Sequence, residues 1–356
     1  MITNIPDKKI KWHEKRLMQQ IFSQQKEVTS VYSTFVSESS QYIKKYSRTT
    51  KRGGVWRRNS KIEGQIDKLL INLHADLTKT IDTGTERCIA LSKSKFDDML
   101  KLYIKDMSLS TVAKKGIFEG NVPALKMFLK ENNKGFSLSE RIWKLTKEAK
   151  TQIELFIDSG VPIGRSAAEI SRDLRSNLKD PDMLFRRVRD KRTKRLVMSK
   201  PMEEYHPGTG KYRSSYKNAL RLTRTTTNRA YRLSDNARWN QKNFVLGYYV
   251  ELSFAHPKED ICDSMVGRYP KTFIFGGWHP QCLCNAVPIL PDPSDFAAHL
   301  KEGSSLRSRF VKNIPAPAQS YFDKHIGQYE TWKEVPWWVT DNFEQKGGAW
   351  IKKAYF

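Results

Sequence analysis

Three of the chain's four cysteines and a proline-fixed histidine fall between Asp260 and Cys284. Cys262, His279, Cys282 and Cys284 offer three sulfur donors and one nitrogen, the number and type that a closed tetrahedral zinc site takes. One cysteine stands alone while three donors crowd together. Cys282 and Cys284 can therefore share a metal only if the backbone between them turns sharply. Residue types alone leave two other readings open. The cysteines could be reduced thiols on a buried turn, since free cysteine is among the most buried residue types, or two of them could form a disulfide. The neighbourhood also offers harder donors. His256, Glu259, Asp260, Asp263 and His279 could bind a hard cation and activate water, the chemistry of a metal-dependent nuclease. Their spacing matches no recognisable nuclease pattern, and the cysteines suit softer metals. No convincing catalytic constellation emerges, so the expectation is a protein that is not an enzyme.

The elements that must position these donors follow from periodicity. Leu246, Tyr248, Val250, Leu252 and Phe254 alternate, which predicts a half-buried strand. Short strands are expected at Lys271–Phe275 and Ala286–Leu290, on either side of the His279-Pro280 turn. A small antiparallel sheet of these strands would bring Cys262 and Cys282 to the same end. A helix is expected from about Ser214 to Gln241, although its three successive threonines, Thr225 to Thr227, are mediocre helix formers that need tertiary support.

Upstream the chain reads as helical. Residues 8–45 carry apolar side chains at spacings that fit one long amphipathic helix or two. Gly53-Gly54 and the surrounding basic residues read as a linker over 47–60. Ile62, Ile66, Leu69, Leu73, Leu77 and Ile81 make one apolar stripe. A break is expected at Asp82-Thr83-Gly84, with helix resuming from Cys88, itself read as a packing residue, to Ile104. Ile142, Leu145, Ala149, Ile153 and Phe156 form another stripe, ended by Asp158-Ser159-Gly160. Ser166 and Glu169 have capping-box spacing at the start of a further helix bearing Ile170, Leu174 and Leu178. The fold class is α+β: a helical N-terminal region over 1–135, a helix-capped small antiparallel sheet domain over 136–290 with the Cys/His-rich turn, and a C-terminal extension over 291–356. That extension holds Trp332, Trp337, Trp338 and Trp350, which suit docking onto another subunit or folding back on their own domain equally well.

The 356 residues carry a net charge of +25, unevenly placed. Lys44, Lys45, Arg48, Lys51, Arg52, Arg57 and Arg58 form one basic cluster with no acidic residue among them. A second contains Arg186, Arg187, Arg189, Lys191, Arg192, Lys194 and Arg195, and reads as a basic surface segment ending in a loop. From Met183 to Lys242 there are 17 basic and 4 acidic residues, whereas the tail after Pro291 is close to neutral. Such concentration points to a polyanionic partner, and nucleic acid in particular. No run approaches the length of a membrane span. The polar stretch from Met1 to Lys11 has no apolar signal region, and the cysteine pattern does not resemble a secreted disulfide framework. A reducing cytosol is the expected site of synthesis.

The stretch ending His279-Pro280-Gln281-Cys282-Leu283-Cys284, with Met265-Val266-Gly267 before it, resembles the C-terminal signature of the phage Mu protein F-like minor head proteins, also called phage head morphogenesis proteins. That family shows a cysteine pair near a Leu/Met-x-Gly and then a closing His-Pro-x-Cys-x-Cys. Here the basic residue usual between the last two cysteines is Leu283, and the second cysteine of the first pair falls at Met265. Gly164-Arg165-Ser166 is similar to the family's Gly-x-Ser start of a helix. Arg224-Thr225 match its Arg-Thr-Glu, with Thr226 in the glutamate's place. The resemblance covers roughly Gln152 to Leu290.

It implies a structural minor head protein of a tailed bacteriophage or prophage, in the capsid interior near the portal, assisting head assembly and contacting packaged double-stranded DNA. Its partners would be portal or capsid subunits and DNA, with no membrane. It would pass through the host cytoplasm during assembly. Some relatives add a C-terminal toxin or enzyme domain, but only about 65 residues follow the signature here, too few for a usual catalytic domain. The alternatives are the nuclease above and a zinc-stabilised DNA-binding module with no role in a virion.

Overall fold

A computed structural model describes residues 7–49, 60–119, 138–160, 187–198, 215–254, 256, 259–332 and 335–353. The fold is α+β, mostly helical with a small antiparallel sheet. The chain forms two compact units, both discontinuous in sequence. One comprises Met1–Ile21, Gly84–Lys134 and Arg224–Phe356, the other Phe22–Thr83 and Gly135–Thr223. They do not follow the three successive stretches 1–135, 136–290 and 291–356.

Helix α1 spans Asp7–Thr49 as one helix, and so includes the start of the expected linker. Residues 50–59 lie outside the described residues. Helix α2 spans Ser60–Tyr103 without interruption. The expected break at Asp82-Thr83-Gly84 is therefore corrected. Glycine inside a helix costs only about 1 kcal/mol relative to alanine, and buried Ile81 and Cys88 flank the position. A short helix α3 occupies Thr111–Phe118, capped by the Ser110 side chain, and α4 spans Leu138–Gly160. The Ser166/Glu169 cap and the helix after it lie outside the described residues.

In the second unit, Val28, Tyr32 and Phe35 of α1 pack with Ile66, Leu69, Leu73, Leu77 and Ile81 of α2 and with Ile142, Leu145, Ala149 and Ile153 of α4. These are the apolar stripes read from the sequence. The same unit carries a hairpin within the basic segment that is expected to end in a loop. Strand β1, Arg187–Arg189, pairs antiparallel with β2, Leu196–Met198. The Asp190 carboxylate shapes the tip by accepting hydrogen bonds from the Arg192 and Thr193 amides and the Thr193 hydroxyl. Lys194 takes a left-handed conformation there.

The first unit contains the sheet, ordered β4-β3-β5. Strand β3, Gly247–Glu251, is central, with Tyr248 and Val250 fully buried and Tyr249 and Glu251 half-buried, as alternation requires. The alternation stops there, because Phe254 is exposed. Strand β5 is Asn285–Ile289. The other neighbour, β4, is Gly267–Tyr269, which corrects the strand expected at Lys271–Phe275. Phe273 and Phe275 are buried from a turn instead, the Phe273 amide donating to the Pro270 carbonyl. Helix α5, Ser215–Asn240, leads into β3 and matches the expected Ser214–Gln241 within a residue at each end.

After β5 the chain turns back onto this unit through α7, Pro293–Glu302, α8, Ala316–His325, and α9, Trp337–Asn342, which follow a four-residue helix α6, Ile261–Ser264, that lies between β3 and β4. The hairpin β6–β7, Phe343–Lys346 with Ala349–Lys352, ends it. Trp338 is 1% exposed, stacks on Phe322 and meets Trp278 edge-on. The tryptophan-rich tail thus folds back on its own unit, with Trp332 left exposed. No helix among the described residues is long and apolar enough to cross a membrane.

His13 on α1 gives this unit a pH dependence. It is 3% exposed, and burial, with help from the Lys95 and Lys9 charges, pushes its pKa down to about 4 from 6.5. The unfolded chain therefore takes up the proton first on acidification. The contribution is complete above pH 6.5 and is lost as the pH falls to about 4, at about 1.4 kcal/mol per unit. Urea midpoints measured from pH 7 to 4.5 should fall less in His13→Gln than in the native protein; equal slopes would remove His13 as the cause.

Candidate metal centre

Cys262 is placed by a local cap. The Asp260 carboxylate accepts from the Cys262 amide at 2.7 Å, and the Asp263 carboxylate accepts from the Asp260 amide at 2.8 Å, closing a capping box at the start of α6. His279 and Cys282 are placed by a tight turn in which the Cys282 amide donates to the His279 carbonyl at 3.1 Å. Gln281, inside that turn, has φ of 66°, which a residue other than glycine rarely adopts. Its amide donates to the Thr225 hydroxyl at 3.1 Å, fixing this conformation to α5.

Helix α5 continues the support. Arg232 donates from Nη2 to the Cys282 carbonyl at 2.8 Å and to the Cys284 carbonyl at 2.7 Å, and from Nε to the latter at 3.1 Å. Asn228 also donates to the Cys282 carbonyl. Gly277 makes room for this guanidinium: a Cβ there would stand 2.6 Å from Nη1 of Arg232, at a φ of +92°. One turn along, Asp235 accepts from Ser92 at 2.7 Å and pairs with Lys95, all three buried. Lys95 also donates to the Ala286 carbonyl on β5 at 3.2 Å, just beyond Cys284.

The result is a convergence of donors. The Cys262 thiol lies 3.8 Å from that of Cys282 and 3.2 Å from Nε2 of His279. The donor atoms of Cys262, His279 and Cys282 all lie within 4.8 Å of one another and form a group that could hold a metal ion. His279 Nδ1 lies 2.8 Å from the Pro280 carbonyl, and a donation there would turn Nε2 toward the thiols as a lone-pair nitrogen. The Asp260 carboxylate approaches the same Nε2 at 3.3 Å. Cys284 interacts through its thiol with Cys262 and Cys282 without joining the close group of three. The three cysteines are almost completely buried, and His279 stands at the opening. Hydrogen bonds from the Cys262 and Cys284 thiols, and the Arg232 charge, push Cys282 well below the ordinary thiol range, whereas Cys262, as donor, is pushed up. Metal binding would require these thiols to deprotonate.

The harder donors also meet. His256, Asp260 and Asp263 bring ligand atoms within 4.8 Å of one another. Two of these are the capping box itself, and His256 bonds to Asp263 at 3.1 Å, so a helix start explains their closeness. Met265 is fully buried at the end of α6. Cys88 stands apart, packed with Leu17, Met18, Ile21 and Tyr231, and burial pushes its thiol up to about 12.

The basic residues divide sharply. Arg189, Lys191, Arg192, Lys194 and Arg195 are exposed on the β1–β2 hairpin. Arg187 lies on β1, and Lys44, Lys45 and Arg48 on α1. Lys51, Arg52, Arg57, Arg58 and Arg186 lie outside the described residues. By contrast the basic side chains of the C-terminal half of α5, and Lys242 just after it, are used internally. Arg229 pairs with Asp341 at 2.8 Å, Arg238 with Asp97 at 2.7 Å, and Lys242 donates to the Gly116 and Glu119 carbonyls. The charge excess counted over Met183–Lys242 therefore overstates what that segment can offer a polyanion.

Sequence reasoning missed the support face of α5. Thr225, Asn228, Arg229, Arg232, Asp235 and Asn236 recur at helical spacing, and a polar stripe of that period was the available signal. Comparison with family models, with curated proteins and with solved structures finds no match for this chain.

Proposed function

We propose that this protein is a structural minor head protein of a tailed bacteriophage or prophage, seated near the portal inside the capsid, where it assists head assembly and contacts packaged DNA. The observation that carries the reading is the meeting of the motif's separated parts. The Arg224-Thr225 helix bonds through Thr225 to the His279–Cys284 turn, and that turn meets Cys262 across 17 residues of chain. A gold label on the tagged protein should map to one vertex of purified, DNA-filled particles. Particles that form normally and carry no label would overturn the assignment.

Within this reading, zinc is the metal the centre fits. Zinc–sulfur bonds of about 2.3 Å and a zinc–nitrogen bond of about 2.0 Å set tetrahedral edges of about 3.8 Å between sulfurs and about 3.5 Å between sulfur and nitrogen. The 3.8 Å and 3.2 Å separations here are close to these. Cys262, His279 and Cys282 would hold the ion, with Cys284 as fourth donor. Zinc would supply a crosslink between α6 and the His279–Cys284 turn.

DNA contact is assigned to the β1–β2 hairpin. Its exposed basic residues have no ion-pair partner among the described residues, and the bonded tip is already ordered, which lowers the cost of binding. Each phosphate contact removed reduces the salt slope of duplex binding by about 0.9. Replacing Lys191, Arg192, Lys194 and Arg195 together by alanine should lower that slope by about 3.6. The exposed pair Lys114 and Lys115 on α3, replaced likewise, should leave it unchanged. An unaltered slope in the hairpin variant would move the contact elsewhere.

A further inference from the structure

The segment Ile274–Trp278 leads directly into His279, and its backbone is gripped by the C-terminal segment. The Asn342 side chain accepts from the Ile274 amide at 2.6 Å and donates to the Ile274 carbonyl at 2.9 Å, as a neighbouring strand would. It also donates to the Trp338 carbonyl, which ties the grip to α9. Trp337 Nε1 donates to the Gly277 carbonyl at 2.6 Å, two residues before His279. Arg229 lies between these parts. It pairs with Asp341 and stands under the Trp337 ring, and a Cβ on Gly276 would approach its Nη1 to 2.4 Å.

Asn342 is fully buried and Asp341 nearly so, on a stretch outside the motif that supplies the donors. Such residues are costly to bury unless paired. Asp341 finds its ion-pair partner on α5, and two of Asn342's three bonds go to the Ile274 backbone. The C-terminal segment and the donor-bearing turn therefore order one another.

We propose that Trp337, Asp341 and Asn342 are positioning residues for the metal centre, so that metal binding and docking of the C-terminal segment stabilise each other. This rests on the metal reading above. Linkage makes the effect reciprocal: whatever factor the docked segment adds to metal affinity, the metal adds to docking of the segment. Outer partners that orient metal ligands are typically worth 10–100-fold in affinity.

The test uses the full chain and zinc ion alone, with affinity read by competition against a chromophoric chelator. Asn342→Ala and Asp341→Asn should bind zinc 10–100-fold more weakly. Trp337→Phe, which removes the indole N–H and leaves a smaller ring over Arg229, should weaken it several-fold, and cobalt substituted for zinc should show an altered d–d spectrum in Asn342→Ala. Asp295→Ala, which breaks a surface pair with Arg309, should match the native protein. In the other direction, stripping the metal should speed proteolysis after residue 330. Variants that keep their helical circular dichroism and bind zinc as tightly as the native protein would overturn the positioning role alone. A native chain that binds no zinc would overturn the metal reading and this inference with it.

Discussion

Asp235→Ala is expected to lower the unfolding free energy by about 3–5 kcal/mol, the range found when one partner is removed from a buried ion pair. Asp235 and Lys95 are each 1% exposed, so the ammonium left behind has no route to water. Ser92 loses its acceptor in the same change. The damage extends to the sheet, because Lys95 also donates to the Ala286 carbonyl of β5. The pair's value lies in the penalty for breaking it rather than in its net attraction. Lys95→Met combined with Asp235→Leu, which removes both charges and keeps the branching of the two side chains, should therefore recover most of the loss. Urea denaturation of the native protein and the two variants separates the terms. A single-variant loss below 1 kcal/mol would show that the site relaxes enough to hydrate the lysine.

Arg232→Met should cost about 3 kcal/mol. Three hydrogen bonds to two buried carbonyls disappear, and the Cys282 and Cys284 carbonyls are left with weaker partners or none. Arg232→Lys should recover little of this, since one ammonium cannot reproduce the planar fork that reaches both carbonyls. The expected signature is local as well as global. The turn that carries Cys282 loosens, and its thiol should react faster with a maleimide under native conditions. Equal labelling rates in the native and Arg232→Met proteins would mean that the sheet, and not α5, holds the turn.

The periodic parts of this fold were legible in the sequence. The stripe from Ile66 to Ile81, the alternation at Tyr248 and Val250, and the meeting of Cys262 with Cys282 all follow from spacing. What was not legible depends on contacts between residues distant in sequence. Asp82-Thr83-Gly84 has the composition of a helix stop, yet α2 runs through it because apolar residues on both sides are buried. Phe273 and Phe275 alternate like a strand, but their burial comes from a turn held by Asn236, which donates to the Phe273 carbonyl. The charge of α5 reads as a surface until Asp97 and Asp341, each more than a hundred residues away, are seen to pair with its arginines. Asn342 carries no sequence signal at all for its grip on Ile274.

Metal content tests the candidate centre most directly. Full-length protein, purified without chelators and analysed by elemental mass spectrometry, should carry about one zinc per chain, and Cys282→Ser prepared in parallel should carry none. Native protein free of metal, or a serine variant that keeps its zinc, would contradict the centre built on Cys262, His279 and Cys282.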